Sequence, residues 1–149
     1  MSLVVSPSGQ TNFGTTGVPV VVLPVAVAAG TTYTVSLSQS GSIFNIPAQP
    51  TGVLTITLPP VAASAGFSAK FILTAIPGGN SPILTATGAN ILCSGQSSAG
   101  WSAPTAGRTT ITFVSGTALV GDRAELTSNG AIYFGQTTTT AAAAAITYA

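Results

Sequence analysis

Hydrophobic and polar residues alternate in short runs along most of the chain. In TTYTVSLS (residues 31–38) and VLTITLPP (residues 53–60), apolar side chains recur at every second position. Alternation over about four to eight residues predicts a β-strand with one buried face. The run AKFILTAI (residues 69–76) is more continuously apolar, as expected of a strand that is buried on both faces. No segment keeps the 3.6-residue period of an amphipathic helix.

Further strands are predicted where apolar runs lie between turn-forming Gly, Pro and Asn residues. These runs cover residues 81–87, 90–94, 108–116, 123–128, 131–135 and 145–149. Between two of them lies Asn129-Gly130, the dipeptide favoured in type I′ hairpin turns. About eight or nine short strands at near-regular spacing predict an all-β fold, which is an antiparallel β-sandwich or a jelly-roll-like domain.

The first 30 residues differ from the rest of the chain. They contain three prolines, one aromatic residue and valines without regular alternation. We predict that residues 1–30 form an extended N-terminal arm or edge strand on a neighbouring subunit, and that residues 31–149 form the β-sandwich domain. The alternative is that residues 18–27 are the first core strand, which Pro19 and Pro24 would confine to a sheet edge. The apolar run 18–29 is also too short, and too interrupted by proline, to span a membrane as a helix.

The composition predicts a surface with very few charged residues. Hydrophobic residues make up 46% of the 149-residue chain and charged residues 3%, with a formal net charge of +1. Surfaces of soluble domains are usually about 25–35% charged, and a net charge near zero favours association. We therefore expect one domain that acts as an assembly protein and is covered largely by copies of itself or by partners. The N-terminus lacks a basic leader region, so we expect synthesis in the cytoplasm without a signal peptide.

The sequence lacks the residues that nucleophilic catalysis, metal binding, phosphate binding and nucleic-acid binding require. The chain has no histidine, so no Ser-His-Asp or Cys-His arrangement can form within it. Cys93 alone can form neither an internal disulfide nor a metal site, and we expect it in the core. There is no GxxxxGK[ST] phosphate loop and no basic stripe. We therefore expect no enzyme activity, no catalytic residue, no cofactor or metal, and no nucleic-acid or membrane partner.

Three of the five charged residues lie close together, at Asp122, Arg123 and Glu125. Asp122 and Glu125 would point to opposite faces of a strand, which disfavours joint acid–base catalysis. Arg123 and Glu125 would share a face, where Glu125 can pair with Arg123 or with Arg108 from a nearby strand or another subunit. We predict that these residues set register and orientation at an interface. Asp122 follows Gly121 at a turn, where its carboxylate can cap backbone amides.

Two aromatic residues are candidates for binding. Trp101 lies in the Gly/Ser/Pro-rich segment SSAGWSAPTAG, where an exposed ring could stack on a sugar or dock into a partner. Alternatively, its ring closes one end of the sandwich beneath a loop. Tyr133 and Phe134 are adjacent, so one ring points inward and the other outward in a strand. Tyr133 is the second interface or stacking candidate.

The order of segments from about residue 31 to residue 134 resembles a small β-domain found in virion surface proteins of tailed bacteriophages and some large DNA viruses. The matching motifs are turn and packing motifs. They comprise Ile56-Thr57-Leu58-Pro59, Gly66 with Phe67 and Phe71, Gly88 with Ile91, and a hairpin running from Gly121-Asp122 through Glu125 and Ser128-Asn129-Gly130 to Tyr133.

Proteins of this kind are typically homotrimers that decorate or cement a capsid, form head fibres or contribute tail-fibre modules. The resemblance implies a viral structural protein of the capsid surface, a decoration or cement protein that binds and stabilises the assembled major-capsid lattice. Its partners would be its own copies and the major capsid protein. The alternative is a head-fibre, spike or tail-fibre module that binds a host glycan or receptor, with Trp101 or Tyr133 as the stacking ring.

Overall fold

The structure is a computed structural model that describes residues 4–5, 11–12, 18–24, 30–86, 91–97, 100–141 and 144–149. Regular structure in these residues consists of β-strands and two short 3₁₀ turns, at Leu37–Gln39 and Val61–Ala63. None of the described residues belongs to a helix with the length and hydropathy needed to cross a bilayer.

The strands are short, from two to nine residues long. In chain order they are β1 (Val4–Val5), β2 (Thr11–Asn12), β3 (Val20–Val22), β4 (Thr31–Thr34), β5 (Ser42–Ile46), β6 (Leu54–Thr57), β7 (Ser68–Leu73), β8 (Ile83–Thr85), β9 (Ile91–Ser97), β10 (Gly100–Arg108), β11 (Thr110–Phe113), β12 (Arg123–Ser128), β13 (Tyr133–Thr138) and β14 (Ile146–Tyr148).

Two sheets contain all of these strands. The nine-stranded sheet has the order β1-β2-β3-β5-β7-β12-β13-β9-β10, and the five-stranded sheet has the order β14-β11-β8-β6-β4. The predicted all-β sandwich class is confirmed, with five strands beyond the nine predicted runs. Three of them, β1, β2 and β3, lie in the region predicted as an arm or edge strand, and the sequence did not indicate β5 or most of β10.

Strand pairing is mixed, whereas the sequence led us to expect antiparallel sheets. Parallel pairs join β3 to β5, β5 to β7 and β13 to β9 in the large sheet, and β4 to β6 and β6 to β8 in the small one. From β3 to β8, successive strands alternate between the two sheets. Two successive strands of one sheet are therefore joined by a segment that includes a strand of the other sheet. Parallel neighbours need a long crossover connection of this kind.

The inward side chains of both sheets form one core. The rings of Phe44 on β5 and Phe71 on β7 stack with centroids 4.8 Å apart, and Tyr33 from the small sheet meets Phe44 edge-on at 6.3 Å. The Tyr133 hydroxyl donates a 2.6 Å hydrogen bond to the Pro59 carbonyl. Aromatic packing and this buried hydrogen bond therefore hold the sheets together.

Strand β3 is part of the large sheet. It pairs with β2 on one side and runs parallel to β5 on the other. Val21 is 1% exposed within the core, whereas its neighbour Val22 is 69% exposed. Pro19 and Pro24 lie just outside the strand, where their missing N–H groups break no ladder hydrogen bond. That the residues before β3 reach another subunit stays a prediction.

The β12–β13 hairpin is confirmed, but its turn differs from the type I′ turn that we predicted. Ser128 pairs with Tyr133, which leaves a four-residue loop. The Asn129 carboxamide oxygen accepts hydrogen bonds from the amides of Ala131 and Ile132, both at 2.9 Å. Among the described residues, glycines alone have positive φ. The Asn129 side chain therefore closes the turn, and the two left-handed residues of a type I′ turn are not needed.

Candidate functional site

Asp122 is fully buried and joins three parts of the chain. Its Oδ2 accepts hydrogen bonds from the Leu119 amide at 3.0 Å and the Thr139 hydroxyl at 2.8 Å, and its Oδ1 accepts one from the Thr140 amide at 3.1 Å. The predicted capping of backbone amides is confirmed. The prediction of Asp122 as an interface residue is wrong, because none of its surface is accessible.

Glu125 is the centre of a charged cluster on the outward side of the large sheet. It lies opposite Lys70 across the β7–β12 ladder, with Lys70 Nζ 2.8 Å from Glu125 Oε1. Arg123 Nε approaches the same oxygen at 3.3 Å, but without hydrogen-bond geometry. The expected pairing of Arg123 with Glu125 is confirmed, and Lys70 is a member of the cluster that the sequence had not indicated.

Two of the remaining three interface candidates lie on β10. Arg108, at the end of that strand, forms no ion pair within the described part of the chain, and its Nε is buried there without a hydrogen-bond partner. Its pairing with another subunit stays a prediction. Trp101 pairs with Gln96 on β9, so its backbone belongs to a strand and not to a loop. The Trp101 side chain lies outside the described residues, and both of its predicted roles remain predictions.

Tyr133 and Phe134 point to opposite sides of the sheet, as predicted. Tyr133 is fully buried, with its ring edge-on to Phe67 at 6.3 Å, and burial raises the pKa of its hydroxyl. The prediction that Tyr133 is an interface or stacking ring is wrong, because the strand directs this side chain into the core. Phe134 is the outward ring, with 41% of its surface exposed.

We call the outward side chains of β5, β7, β9, β12 and β13 the outer face. It has two shallow grooves, of about 300 and 330 Å³, and Glu125 lines both of them. The first groove runs past Val18, Ile43 and Lys70, and the second past Leu92 and Phe134. The charged cluster therefore lies at the centre of a broad surface of apolar, hydroxyl and amide groups.

A third depression, the Tyr148 cleft, lies between β14 and the β9–β13 pair and has a volume of about 340 Å³. It is lined by uncharged residues: Gly95, Gln96, Ser97, Gly100, Thr137, Thr139, Ile146, Thr147 and Tyr148. The hydroxyls of Tyr148 and Thr137 are hydrogen-bonded across the two sheets. Burial raises the pKa of Tyr148, so its phenol stays protonated at neutral pH. The sequence contained no signal for this cleft, because its walls come from distant segments.

Cys93 lies in the core, as predicted. It is fully buried, and burial raises the pKa of its thiol to about 12. In the described part of the chain, no group of three or more His, Cys, Asp or Glu residues is placed to hold a metal ion. The thiol therefore contributes packing and not reactivity at neutral pH.

Comparison of the chain with protein-family models, with curated proteins and with solved structures gives no match. The outer face with its charged cluster and the Tyr148 cleft are two surfaces of this chain that are open to other molecules.

Proposed function

We propose that this protein is a viral structural protein that decorates or cements a capsid, binding the assembled major-capsid lattice as a homotrimer. The observation that carries the proposal is the scarcity of accessible charge. Of five charged residues, Asp122 is buried and three are gathered in one cluster. A surface with so little charge favours association, which supports a subunit that is covered by its own copies and by a lattice.

The outer face is the surface best suited to contacts between copies. Phe134 on the outer face and Val22 on the neighbouring strand β3 expose 41% and 69% of their surface. Covering them would stabilise an assembly by about 25 cal/mol for each Å² of apolar area. Charged groups fix orientation and register between partners more than they add affinity. The Lys70–Glu125–Arg123 cluster would take that role at the centre of the contact.

Arg123 indicates what a partner has to supply. The cluster has two cations and one anion, and Arg123 Nε lacks a hydrogen-bond acceptor among the described residues. The Arg123 side chain is 41% exposed. A neighbouring copy or capsid subunit that places a carbonyl or carboxylate oxygen beside the exposed part of this guanidinium would balance the excess positive charge of the cluster, so we expect such an oxygen at the interface.

The mechanism would be thermodynamic. A protein that binds the assembled shell but not its dissociated subunits adds its binding free energy to the assembled state. At a free concentration one hundred times the dissociation constant, each occupied site contributes about 2.7 kcal/mol. Many such sites on one shell would together oppose its disassembly.

The copy number of this chain in purified virions tests the location. We would measure it by quantitative mass spectrometry against the major capsid protein. A number in the hundreds, in simple ratio to the capsid protein, would support the decoration or cement role. A few copies, or a few tens, would favour the alternative of a head-fibre, spike or tail-fibre module that recognises a host receptor. Absence from virions would contradict both.

Substitutions in the charged cluster test the assembly surface. Arg123→Ala and Glu125→Ala should weaken self-association about tenfold, equivalent to about 1.4 kcal/mol, while the circular dichroism spectrum stays unchanged. Thr127→Ala is a matched control, since Thr127 is exposed and lies on the same face of β12. Sedimentation velocity over a range of concentrations gives the measurement. Unfolded variants would show that the cluster serves the fold, and equal loss in the control would contradict a specific orienting role.

A further inference from the structure

The turn between β12 and β13 contains the dipeptide Asn129-Gly130, and Asn129 is exposed there. Asparagine is a chemically labile residue, because the backbone nitrogen of the following residue can attack its side-chain carbonyl carbon. Glycine has no side chain that shields this nitrogen. The dipeptide is therefore more reactive than Asn80-Ser81 of the same chain, in which the attacking residue has a side chain.

The reaction joins two atoms of this turn and releases ammonia. Hydroxide removes the proton of the Gly130 amide, and the nitrogen then forms a bond to Cγ of Asn129. The Cγ–Nδ2 bond breaks, and the leaving nitrogen takes a proton from water. Water next opens the five-membered imide at one of its two carbonyls, which leaves aspartate or isoaspartate without any oxidation or reduction. The new carboxylate adds one negative charge and changes the formal net charge of the chain from +1 to zero.

The folded turn holds both reacting groups in hydrogen bonds. Asn129 Oδ1 accepts hydrogen bonds from the amides of Ala131 and Ile132, both at 2.9 Å, and the Gly130 amide donates to Ser128 Oγ at 3.1 Å. Ser128 is only 7% exposed, so the proton that has to leave points to a group that hydroxide hardly reaches. Formation of the imide removes the bond from Gly130 to Ser128 and turns the carboxamide that the other two bonds hold.

Buried groups around the turn keep it closed. Ser64, which is 1% exposed, donates from its hydroxyl to Ser128 Oγ at 2.9 Å, and the Ser128 amide donates to the Phe67 carbonyl at 2.9 Å. A Cβ on Gly130 would lie 3.1 Å from the Cβ of Ala65. The turn therefore opens only when it separates from residues 64–67. A reaction that requires the open turn is slowed in proportion to the fraction of molecules in which the turn is open.

We propose that Asn129-Gly130 is a site of spontaneous deamidation that the folded β12–β13 turn keeps unreactive, so that the modification accumulates in chains in which this turn is open. Isoaspartate adds one carbon atom to the backbone of a loop of four residues, so the two strands would not recover the same register. The site does not rest on the proposed capsid role. Within that role, a modified chain would lose an outer face to which β12 and β13 contribute Glu125 and Phe134.

The rate of deamidation in the folded and the unfolded chain tests the proposal. The full chain is incubated at mildly alkaline pH with and without guanidinium chloride. Trypsin then releases residues 124–149, in which Asn129 is the only asparagine, for mass spectrometry. We expect the unfolded chain to react at least about tenfold faster than the folded chain. When unfolded, Asn129 should also react faster than Asn80, which measures the effect of the missing side chain on Gly130.

Ser128→Ala and Ser64→Ala are a matched pair of variants. Both remove the hydrogen bond between the two hydroxyls, but only Ser128→Ala removes the acceptor of the Gly130 amide. Ser128→Ala should raise the rate in the folded chain about threefold or more, and Ser64→Ala should raise it less. Neither should change the rate in the unfolded chain. In Ser128→Ala the Ser64 hydroxyl keeps its 2.9 Å bond to the Val61 carbonyl, so this variant should fold.

Four results would overturn the proposal. They are equal rates in the folded and unfolded chain, no deamidation in the unfolded chain, an equal rise in the two serine variants, and a faster reaction in the folded chain. The last result would show that the amides of Ala131 and Ile132 activate the side-chain carbonyl as an oxyanion hole does. None of these measurements depends on self-association, so their outcome is separate from that of the assembly test.

Discussion

At the scale of single residues, two carboxylates three positions apart have unrelated environments. Asp122 is buried and accepts three hydrogen bonds, whereas Glu125 lies on the outer face and pairs with Lys70 and Arg123. Asp122 directly precedes β12, and the alternation of inward and outward side chains runs from it through Glu125. Residues three apart in such a run leave on opposite faces. Asp122 therefore stabilises the fold, and Glu125 remains available at the surface.

Replacing Asp122 should be costly. Asp122→Ala leaves the buried Thr139 hydroxyl and the part-buried amides of Leu119 and Thr140 without their acceptor, so we expect a loss of about 3 kcal/mol in the free energy of unfolding. Asp122→Asn keeps one acceptor oxygen and should lose less. Glu125→Ala is the control, at about 1 kcal/mol or less, as is usual for exposed ion pairs. Urea unfolding gives these values, and equal losses in Asp122→Ala and Glu125→Ala would contradict the role assigned to Asp122.

The Cys93 thiol should make stability depend on pH in the alkaline range. In the unfolded chain the thiol ionises near its ordinary pKa of 9.0, whereas in the folded chain it stays protonated until about pH 12. As pH rises through this interval, the unfolded chain loses a proton that the folded chain keeps, so the free energy of unfolding falls. Below pH 9.0 this contribution to stability is fully present.

Urea unfolding of the unsubstituted chain and of Cys93→Ala, at about pH 8 and about pH 10, measures this effect. We expect the unsubstituted chain to lose more stability between the two pH values than Cys93→Ala does. The cavity left by the substitution lowers stability at both pH values and cancels in the comparison. Parallel pH dependence in the two proteins would contradict a protonated thiol in the core.

At the scale of elements, the path of the chain decides how strands pair. Strands β3 to β8 alternate between the two sheets, so neighbours within each sheet run parallel. Alternating hydrophobicity indicated most of these strands but not their partners. β5 was missed because polar Ser42 lies on its inward face and apolar Ile43 on its outward face, which breaks the alternation. β10 was missed because Pro104 and Gly107 are typical of loops.

Strand β3 offers a direct test of whether the N-terminal region belongs to the core. Val21→Ala removes methyl groups from a side chain that is 1% exposed, whereas the neighbouring Val22→Ala changes one that is 69% exposed. We expect a loss of about 2 kcal/mol for Val21→Ala and less than about 0.5 kcal/mol for Val22→Ala. Thermal or urea unfolding of the dissociated chain supplies the comparison. Small and equal effects would instead favour an arm that packs on another subunit.

At the scale of the whole molecule, the scarcity of charge shapes how the protein associates. With a net charge of +1 and 3% charged residues, long-range electrostatic forces between copies are weak. Apolar and hydroxyl groups dominate the outer face. Once a partner covers the charged cluster, salt ions cannot reach it, so salt would screen its ion pairs only weakly. Association should therefore depend mainly on the area of surface that is buried.

Self-association should accordingly be almost independent of salt. We expect the dissociation constant to change less than about threefold between about 0.05 and 1 M NaCl. Sedimentation equilibrium at several salt concentrations measures it. A steep increase of the dissociation constant with salt would show that exposed ion pairs hold the copies together, and would contradict an interface based on the outer face as described.

The sequence by itself determined the all-β class, the burial of Cys93, the capping role of Asp122 and the shared face of Arg123 and Glu125. Each of these follows from the alternation of side chains along a strand, from the type of residue, or from contacts with residues nearby in the sequence. Tertiary structure alone decided the parallel pairing, Lys70 as the partner of Glu125, which ring of the Tyr133–Phe134 pair is buried, and the Tyr148 cleft. These features join residues far apart in the chain, and local patterns contain no information about which strand lies beside which.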